Sequence, residues 1–228
     1  MMADPLHALE NVLKHVFHDR ALLEAALTHR SAATMKNNER LEFLGDAVLN
    51  LVIAAALFAA RPDAREGDLS RLRASLVNQA TLAEVARELR LGDYLRLGAG
   101  ERRTSARQRD SVLSDALEAV LGAVYLDAGH ATCERLIQRL FDTRLAELPA
   151  ASTLKDGKTR LQEYLQGRQR PVPEYAVLSI TGPAHDQVFE VECRLPDTAH
   201  VTGGVAGSRR RAEQQAAAAM LERLQLEE

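Results

Sequence analysis

The sequence predicts an all-α domain followed by a small α+β domain of order α-β-β-β-α, and three observations carry that reading. From Leu6 to Leu145 apolar residues recur mostly at the spacing of amphipathic helices, with short breaks such as Arg61-Pro62. Val188 to Leu195 instead alternates strictly. Phe189, Val191, Cys193 and Leu195 share one face and Glu190, Glu192 and Arg194 the other, the pattern of a one-sided antiparallel sheet. Between these regions Glu147-Leu148-Pro149-Ala150-Ala151-Ser152 is short, rich in small residues and contains proline, as suits a linker. The expected boundaries are 1–148, a linker at 149–154, and 155–226.

In order, residues 6 to 17 read as a first amphipathic helix, and 20 to 28 as a second that starts after Asp19 and buries Leu22, Leu23, Ala26 and Leu27. A long apolar helix follows through Leu41, Val48, Leu49, Val52, Ile53 and Leu57; being apolar all round, it is expected to be buried. Glu66 to Leu76 and Thr81 to Leu89 continue the helical pattern, while Gly92-Asp93-Tyr94 and Gly98-Ala99-Gly100 mark loops. Ser111 to Gly122 is a further helix, and Cys133 to Leu145 completes the domain. Beyond the linker come a helix at Thr159 to Gln166, strands at Tyr175 to Ile180, Val188 to Leu195 and His200 to Val205, and a last helix burying Ala212, Ala216, Met220 and Leu224.

Composition narrows the function classes. A chain of 228 residues with 46% hydrophobic content can bury a sizeable core, and the absence of Trp with abundant Ala, Leu and Arg suits helix packing. Cys133 and Cys193 are too few and too far apart for a disulfide framework or a metal site, so reduced thiols and a cytoplasmic location are expected. The start has neither a basic segment nor a long apolar core, and Leu51 to Ala60 is half of the roughly 20 residues that span a bilayer, so no membrane role is expected. A net charge of −3 argues against indiscriminate polyanion binding; positive charge is concentrated instead at Arg102 to Arg109 and at Arg209-Arg210-Arg211.

The chemistry lies in two acidic stripes. In Asn38-Glu39-Arg40-Leu41-Glu42-Phe43-Leu44-Gly45-Asp46, a turn of about 100° per residue places Glu39, Glu42 and Asp46 in one narrow sector, where like charges repel. In Ser111 to Gly122, Asp115 and Glu118 share a face among apolar or small neighbours, and Gly122 next on that stripe would let another backbone approach. Two such helices could bring four carboxylates together. Without His or Cys, carboxylates select hard cations such as Mg2+ or Mn2+, which can activate water and stabilise charge on a phosphoryl oxygen. The bland alternative, solvated faces paired with arginines, weighs most for Glu39, since an acid in the first turn favours the helix dipole. A lone His29 beside an arginine is more often a structural hydrogen-bonder than a catalytic base.

Ala26-Leu27-Thr28-His29-Arg30-Ser31 with Asn38 to Leu49, and then Ser111 to Ala119 with Gly122 to Asp127, closely resemble the two acidic motifs of bacterial ribonuclease III, and the resemblance covers nearly the whole chain. It implies that Glu42, Asp46, Asp115 and Glu118 are the metal and catalytic acids. Glu118 would be a direct Mg2+ ligand that helps activate water, Asp46 a catalytic acid close to the metal, and Glu42 and Asp115 the completion of the coordination; Glu39 would be supporting. It further implies hydrolysis of double-stranded RNA to 5′-phosphate and 3′-hydroxyl ends, processing of ribosomal and messenger RNA precursors, and a homodimer, since a duplex has two strands and the chain one acidic quartet. No organic cofactor is expected.

Residues 155–226 resemble a double-stranded RNA-binding domain through Lys158 to Tyr164, Pro173-Glu174-Tyr175, Gly182-Pro183-Ala184-His185 with Phe189, and Gly204 to Gln214. Such domains read A-form shape through 2′-hydroxyls and phosphates. The resemblance assigns RNA contacts to Gln162 and Glu163 on the first helix, His185 in a loop, and Ser208, Arg209 and Arg210 opening the last helix, where a helix N-terminus and arginines suit phosphate. The chain departs from the family's Gly-x-Gly-x-Ser-Lys-Lys pattern at Ala206, which a positive φ would strain, and reads Thr104-Ser105-Ala106 where Ser-Gly-Gly is usual. The alternative in another class is a non-cleaving double-stranded RNA-binding protein.

Overall fold

A computed structural model describes residues 5–32, 36–102, 105–149 and 155–226. The chain divides into two compact units, Met1–Pro149 and Ala150–Glu228. The linker read at 149–154 lies, but for Pro149, outside the described residues.

The first unit contains α1 (Pro5–Leu13), α2 (Arg20–Ala26), α3 (Glu39–Ala60), α4 (Glu66–Leu76), α5 (Gln79–Glu88), α6 (Ala99–Arg102) and α7 (Asp110–Ala146), with 3-10 turns at Arg30–Ala32, Leu91–Asp93 and Ser105–Gln108. The first helix stops at Leu13, short of the expected residue 17. Lys14 turns left-handed at φ 51°, and the His15 N–H donates to the Glu10 carbonyl at 3.1 Å, closing a Schellman cap. Arg139 donates to the freed Val12 and Leu13 carbonyls at 3.2 and 2.8 Å. Residues 14–19 then run onto α7, where the Asp127 carboxylate accepts from the Asp19 and His18 N–H groups at 2.8 and 3.1 Å and hydrogen-bonds His15 Nε2 at 2.9 Å. Asp19 caps α2, accepting from the Ala21 N–H at 3.0 Å. Where Gly98-Ala99-Gly100 reads as loop, the single turn of α6 begins at Ala99, a correction too short for periodicity to register.

The long helices α3 and α7 form the centre. A Cβ on Gly45 would fall 1.7 Å from the Glu118 carbonyl oxygen, and one on Gly122 would fall 2.2 Å from that of Leu41. Each helix thus presents a glycine to the other's backbone, and the axes come close only because both side chains are missing. α7 breaks at Gly129, whose φ of 75° and ψ of 176° are open to glycine. Cys133, beyond the break, is buried and its thiol is pushed up to about 12 by that burial, so it packs rather than reacts.

α3 is not buried all round, contrary to its sequence pattern. Leu41, Val48, Leu49, Val52, Ile53 and Leu57 face the core, but Phe43 and Phe58 are 81% and 74% exposed, and Leu51 and Ala55 also face outward. Among the described residues α3 is the one helix long and apolar enough to cross a membrane by length and composition, where Leu51 to Ala60 alone is too short; one face of it is built into this core.

The second unit contains α8 (Gly157–Gly167), β1 (Glu174–Thr181), β2 (Val188–Arg194), β3 (Val201–Ala206) and α9 (Arg209–Leu226). The antiparallel sheet has order β1-β2-β3, with a bulge between Val177 and Ser179. The alternation in β2 works as read: Val191 and Cys193 are fully buried beneath α8 and α9, with Leu161, Leu165, Ala216 and Met220. Gly204 lets β3 lie against α9, since a Cβ there would meet the Ala212 carbonyl oxygen at 2.2 Å.

Candidate active site and RNA-binding surface

The Gly45–Gly122 crossing sets Glu42 and Asp46 of α3 against Asp115 and Glu118 of α7. Glu42, Asp115 and Glu118 each offer a carboxylate oxygen within 4.8 Å of the others, all half-buried. Asp46 is exposed and stands outside this trio; Asn50, one turn on, donates its Nδ2 to Asp46 Oδ1 at 2.8 Å and to the Asp46 carbonyl at 3.0 Å. Glu39 is exposed, 3.6 Å from the Arg30 guanidinium.

Electrostatics mark the trio as strained. Burial raises the Glu42 carboxyl, and Asp115, Glu39 and Asp46 add to it while Arg30 opposes. Burial also raises Asp115, offset by the Ser114 hydroxyl and by His29 and Arg30. Glu118 is pushed up to about 8, first by burial and then by Asp46, Glu42 and Asp115. An all-oxygen donor set held toward its protonated form by burial and, at Glu42 and Glu118, by neighbouring acids fits a hard divalent cation, whose charge would oppose each of these shifts.

In the second unit, Gln162 and Glu163 are exposed on α8, and both Glu163 carboxylate oxygens accept from Lys155 Nζ, at 2.7 and 2.6 Å. His185 is exposed in the β1–β2 loop, which turns at Gly182 with φ 90°. Ser208 Oγ accepts from the Arg211 N–H at 3.4 Å at the start of α9. Arg209 Nε donates to Glu213 at 2.8 Å, and Lys158 of α8 donates to the same carboxylate at 2.7 Å. These bonds, with Lys158 the stronger influence, hold Glu213 below the usual carboxylate range and join the ends of α8 and α9. Arg210 is exposed. Neither Ala206 nor Gly207 has a positive φ, so Ala206 sits without strain. Of the Thr104-Ser105-Ala106 departure, Thr104 lies outside the described residues and Ala106 is fully buried.

Sequence reading misses Gly45 and Asn50. Gly45 carries a signal only when paired with Gly122 on a second helix, and Asn50 one only as the residue four after an acid.

A close carboxylate cluster on two crossing helices, joined in one chain to an α-β-β-β-α module with arginines at a helix N-terminus, defines a nuclease with its own double-stranded RNA reader. A ribonuclease-III-like family model matches residues 19–145, and a double-stranded RNA-binding motif matches residues 158–224. The chain is 54% identical over 224 residues to ribonuclease 3 of Alkalilimnicola ehrlichii, with 98% of each chain covered. It is 55% identical over 218 residues to that of Nitrosococcus oceani, covering 95% of this chain and 93% of that one. Among solved structures, the nuclease domain of ribonuclease III from Campylobacter jejuni superposes with a TM-score of 0.61 at 42% identity, covering 64% of this chain and 99% of that domain. A second structure of that domain, described as flexible in the region involved in dimer formation, gives a TM-score of 0.60 at 45% identity, covering 60% of this chain and 96% of that one. The chain belongs to the ribonuclease III family, and its activity is endonucleolytic hydrolysis of double-stranded RNA.

Proposed function

We propose that Glu42, Asp46, Asp115 and Glu118 form the cleavage site and hold Mg2+, which Mn2+ can replace. One observation carries this: three carboxylates from two helices lie within 4.8 Å of one another. The bound cation supplies a water of lowered pKa and neutralises charge on the phosphoryl oxygen. Glu118, relieved of its proton, can take one from the attacking water; Asp46, with one oxygen held by Asn50, keeps the other for the reacting groups. Glu42 and Asp115 complete the donor set, and Glu39 supports it by holding Arg30. The products are a 5′-phosphate and a 3′-hydroxyl on each strand, and ribosomal and messenger RNA precursors are the proposed substrates. Gln162, Glu163, His185, Ser208, Arg209 and Arg210 are the proposed contacts to the duplex.

Two cuts need two sites, so the reading includes a homodimer. Phe43, Leu51 and Leu126 are 81%, 58% and 53% exposed, and Phe43 borders an apolar recess lined by Leu22, Leu41, Leu44 and Leu126. A second copy meeting this surface would cover it. A cytoplasmic location accords with two free, buried cysteines.

Calorimetric titration of the metal-free protein tests the site. Mg2+ and Mn2+ are expected to bind with proton release, and Glu118→Gln or Asp115→Asn to weaken binding by about 10-fold or more. Binding unchanged in both variants would overturn the assignment.

A further inference from the structure

The Thr28-His29-Arg30-Ser31 turn borders the site. His29 and Arg30 line one small cavity with Asn38, Glu39, Glu42 and Asp115. The turn is fixed from both sides. The His29 N–H donates to the Arg96 carbonyl at 3.0 Å, the Asn38 N–H donates to the Thr28 carbonyl at 2.9 Å, and the Gly98 N–H donates to Ser31 Oγ at 3.0 Å. Gly98 packs so closely that a Cβ would fall 2.0 Å from the Ser31 carbonyl oxygen.

These contacts orient the His29 ring. The Ser31 N–H donates to His29 Nδ1 at 3.2 Å, and Ser31 Oγ lies 2.8 Å from the same atom. A backbone N–H can only donate, so Nδ1 is the acceptor in this contact and Nε2 is the ring nitrogen left to donate. His29 itself lines the cavity. The neighbouring Arg30 side chain is 71% exposed, and its pairing with Glu39 is loose at 3.6 Å.

We propose that His29 and Arg30 bind a phosphate of the RNA backbone beside Glu42 and Asp115, His29 through its ring Nε2 and Arg30 through its guanidinium. The proposal rests on the cleavage-site reading above. Carboxylates alone repel the strand they must act on, and two donors carried on a fixed turn at the cavity rim offset that repulsion. If Arg30 were only a counter-ion for Glu39 and Glu42, its removal would ease cation binding and leave RNA affinity alone.

Steady-state cleavage of a labelled RNA duplex by the full-length chain over a range of salt, with calorimetric Mg2+ titration of the same variants, separates these roles. Arg30→Gln is expected to raise KM about 10-fold with kcat nearly kept, and to flatten log(kcat/KM) against log[salt] by about one unit, the signature of one lost phosphate contact. Arg30→Lys keeps the slope and loses part of the affinity. His29→Phe is expected to raise KM as well. Mg2+ affinity is not weakened in Arg30→Gln. Wild-type KM and slope in Arg30→Gln would overturn the proposal, as would a loss accompanied by weaker Mg2+ binding. If the wild type binds no Mg2+, the cleavage-site reading fails instead, and the slopes are then compared in equilibrium duplex binding.

Discussion

Burial and three neighbouring acids keep a proton on Glu118 up to about pH 8 in the metal-free protein, and two consequences follow for this one side chain. Its folded-state pKa lies above the unfolded value, so it contributes stability that is fully present below about pH 4.5 and is lost as pH rises toward 8. Glu118→Gln is therefore expected to raise the metal-free melting temperature at about pH 8 by roughly 3–6 °C, after discounting for solvent screening, and to change it little at about pH 5. Differential scanning calorimetry at the two pH values checks this, and equal shifts at both would contradict it. On the proposed site the same proton must leave when a cation enters, so apparent Mg2+ affinity is expected to rise between about pH 6 and 8, measurable by titration in buffers of different ionisation enthalpy. The residue scale is also where the sequence is most legible. Helical periodicity alone puts Glu42 with Asp46 and Asp115 with Glu118, because positions three and four apart share a face whatever the tertiary structure. Asp46's separation from the trio is not legible, since it depends on where a second helix crosses.

The crossing of α3 and α7 brings two acidic stripes into one carboxylate cluster. With the Gly45 Cβ position 1.7 Å from the Glu118 carbonyl oxygen, Gly45→Ala must push the helices apart. The expected cost is about 1–3 kcal/mol of stability by overpacking, together with loss of Mg2+ binding; urea melts and titration read the two separately, and a variant with wild-type values of both would refute the close crossing. A second element-level contact joins the α1–α2 connection to α7. Asp127 is held below the usual carboxylate range: burial pushes it up, but the Asp19 and His18 N–H groups and the two histidines outweigh that. Its contribution is present above the unfolded value of 3.8 and lost as pH falls through the lowered one. Asp127→Asn should destabilise the protein by about 1–2 kcal/mol at neutral pH and weaken its acid sensitivity, visible as a shallower loss of melting temperature below about pH 4. Elements longer than two turns are readable from pattern, as α4 is at Glu66–Leu76, whereas the single turn of α6 and the stop at Lys14 are not. A left-handed lysine carries no compositional mark, and here Arg139, 125 positions after it, caps the carbonyls the stop leaves free.

For the whole molecule, the apolar pattern of α3 is ambiguous in sequence for a physical reason: a helix buried all round in one chain and a helix with one face in its core and another left for a second copy have the same composition. The structure separates them by leaving Phe43, Leu51 and Phe58 outside. Phe43→Arg is expected to shift the protein toward monomer and to lower double-strand cleavage by 10-fold or more, in keeping with the cost of a charge in an apolar contact, about 2 kcal/mol or above. Sedimentation velocity gives the assembly state, and an unchanged dimer would remove this surface from the interface. The acids lie in the nuclease-like unit and the double-stranded RNA-binding motif in the other, so a change confined to Glu118 is expected to leave duplex binding intact. The most direct measurement is thus incubation of a labelled RNA duplex with the wild-type chain in Mg2+, in EDTA, and with Glu118→Gln in Mg2+, following binding and strand cleavage together. Cleavage of both strands only by the wild type in Mg2+, at least about 100-fold faster than by Glu118→Gln, with duplex binding retained by that variant, is the expected result. A wild-type chain that binds the duplex but does not cut it in Mg2+ or Mn2+, or a Glu118→Gln variant that cuts as fast, would contradict it.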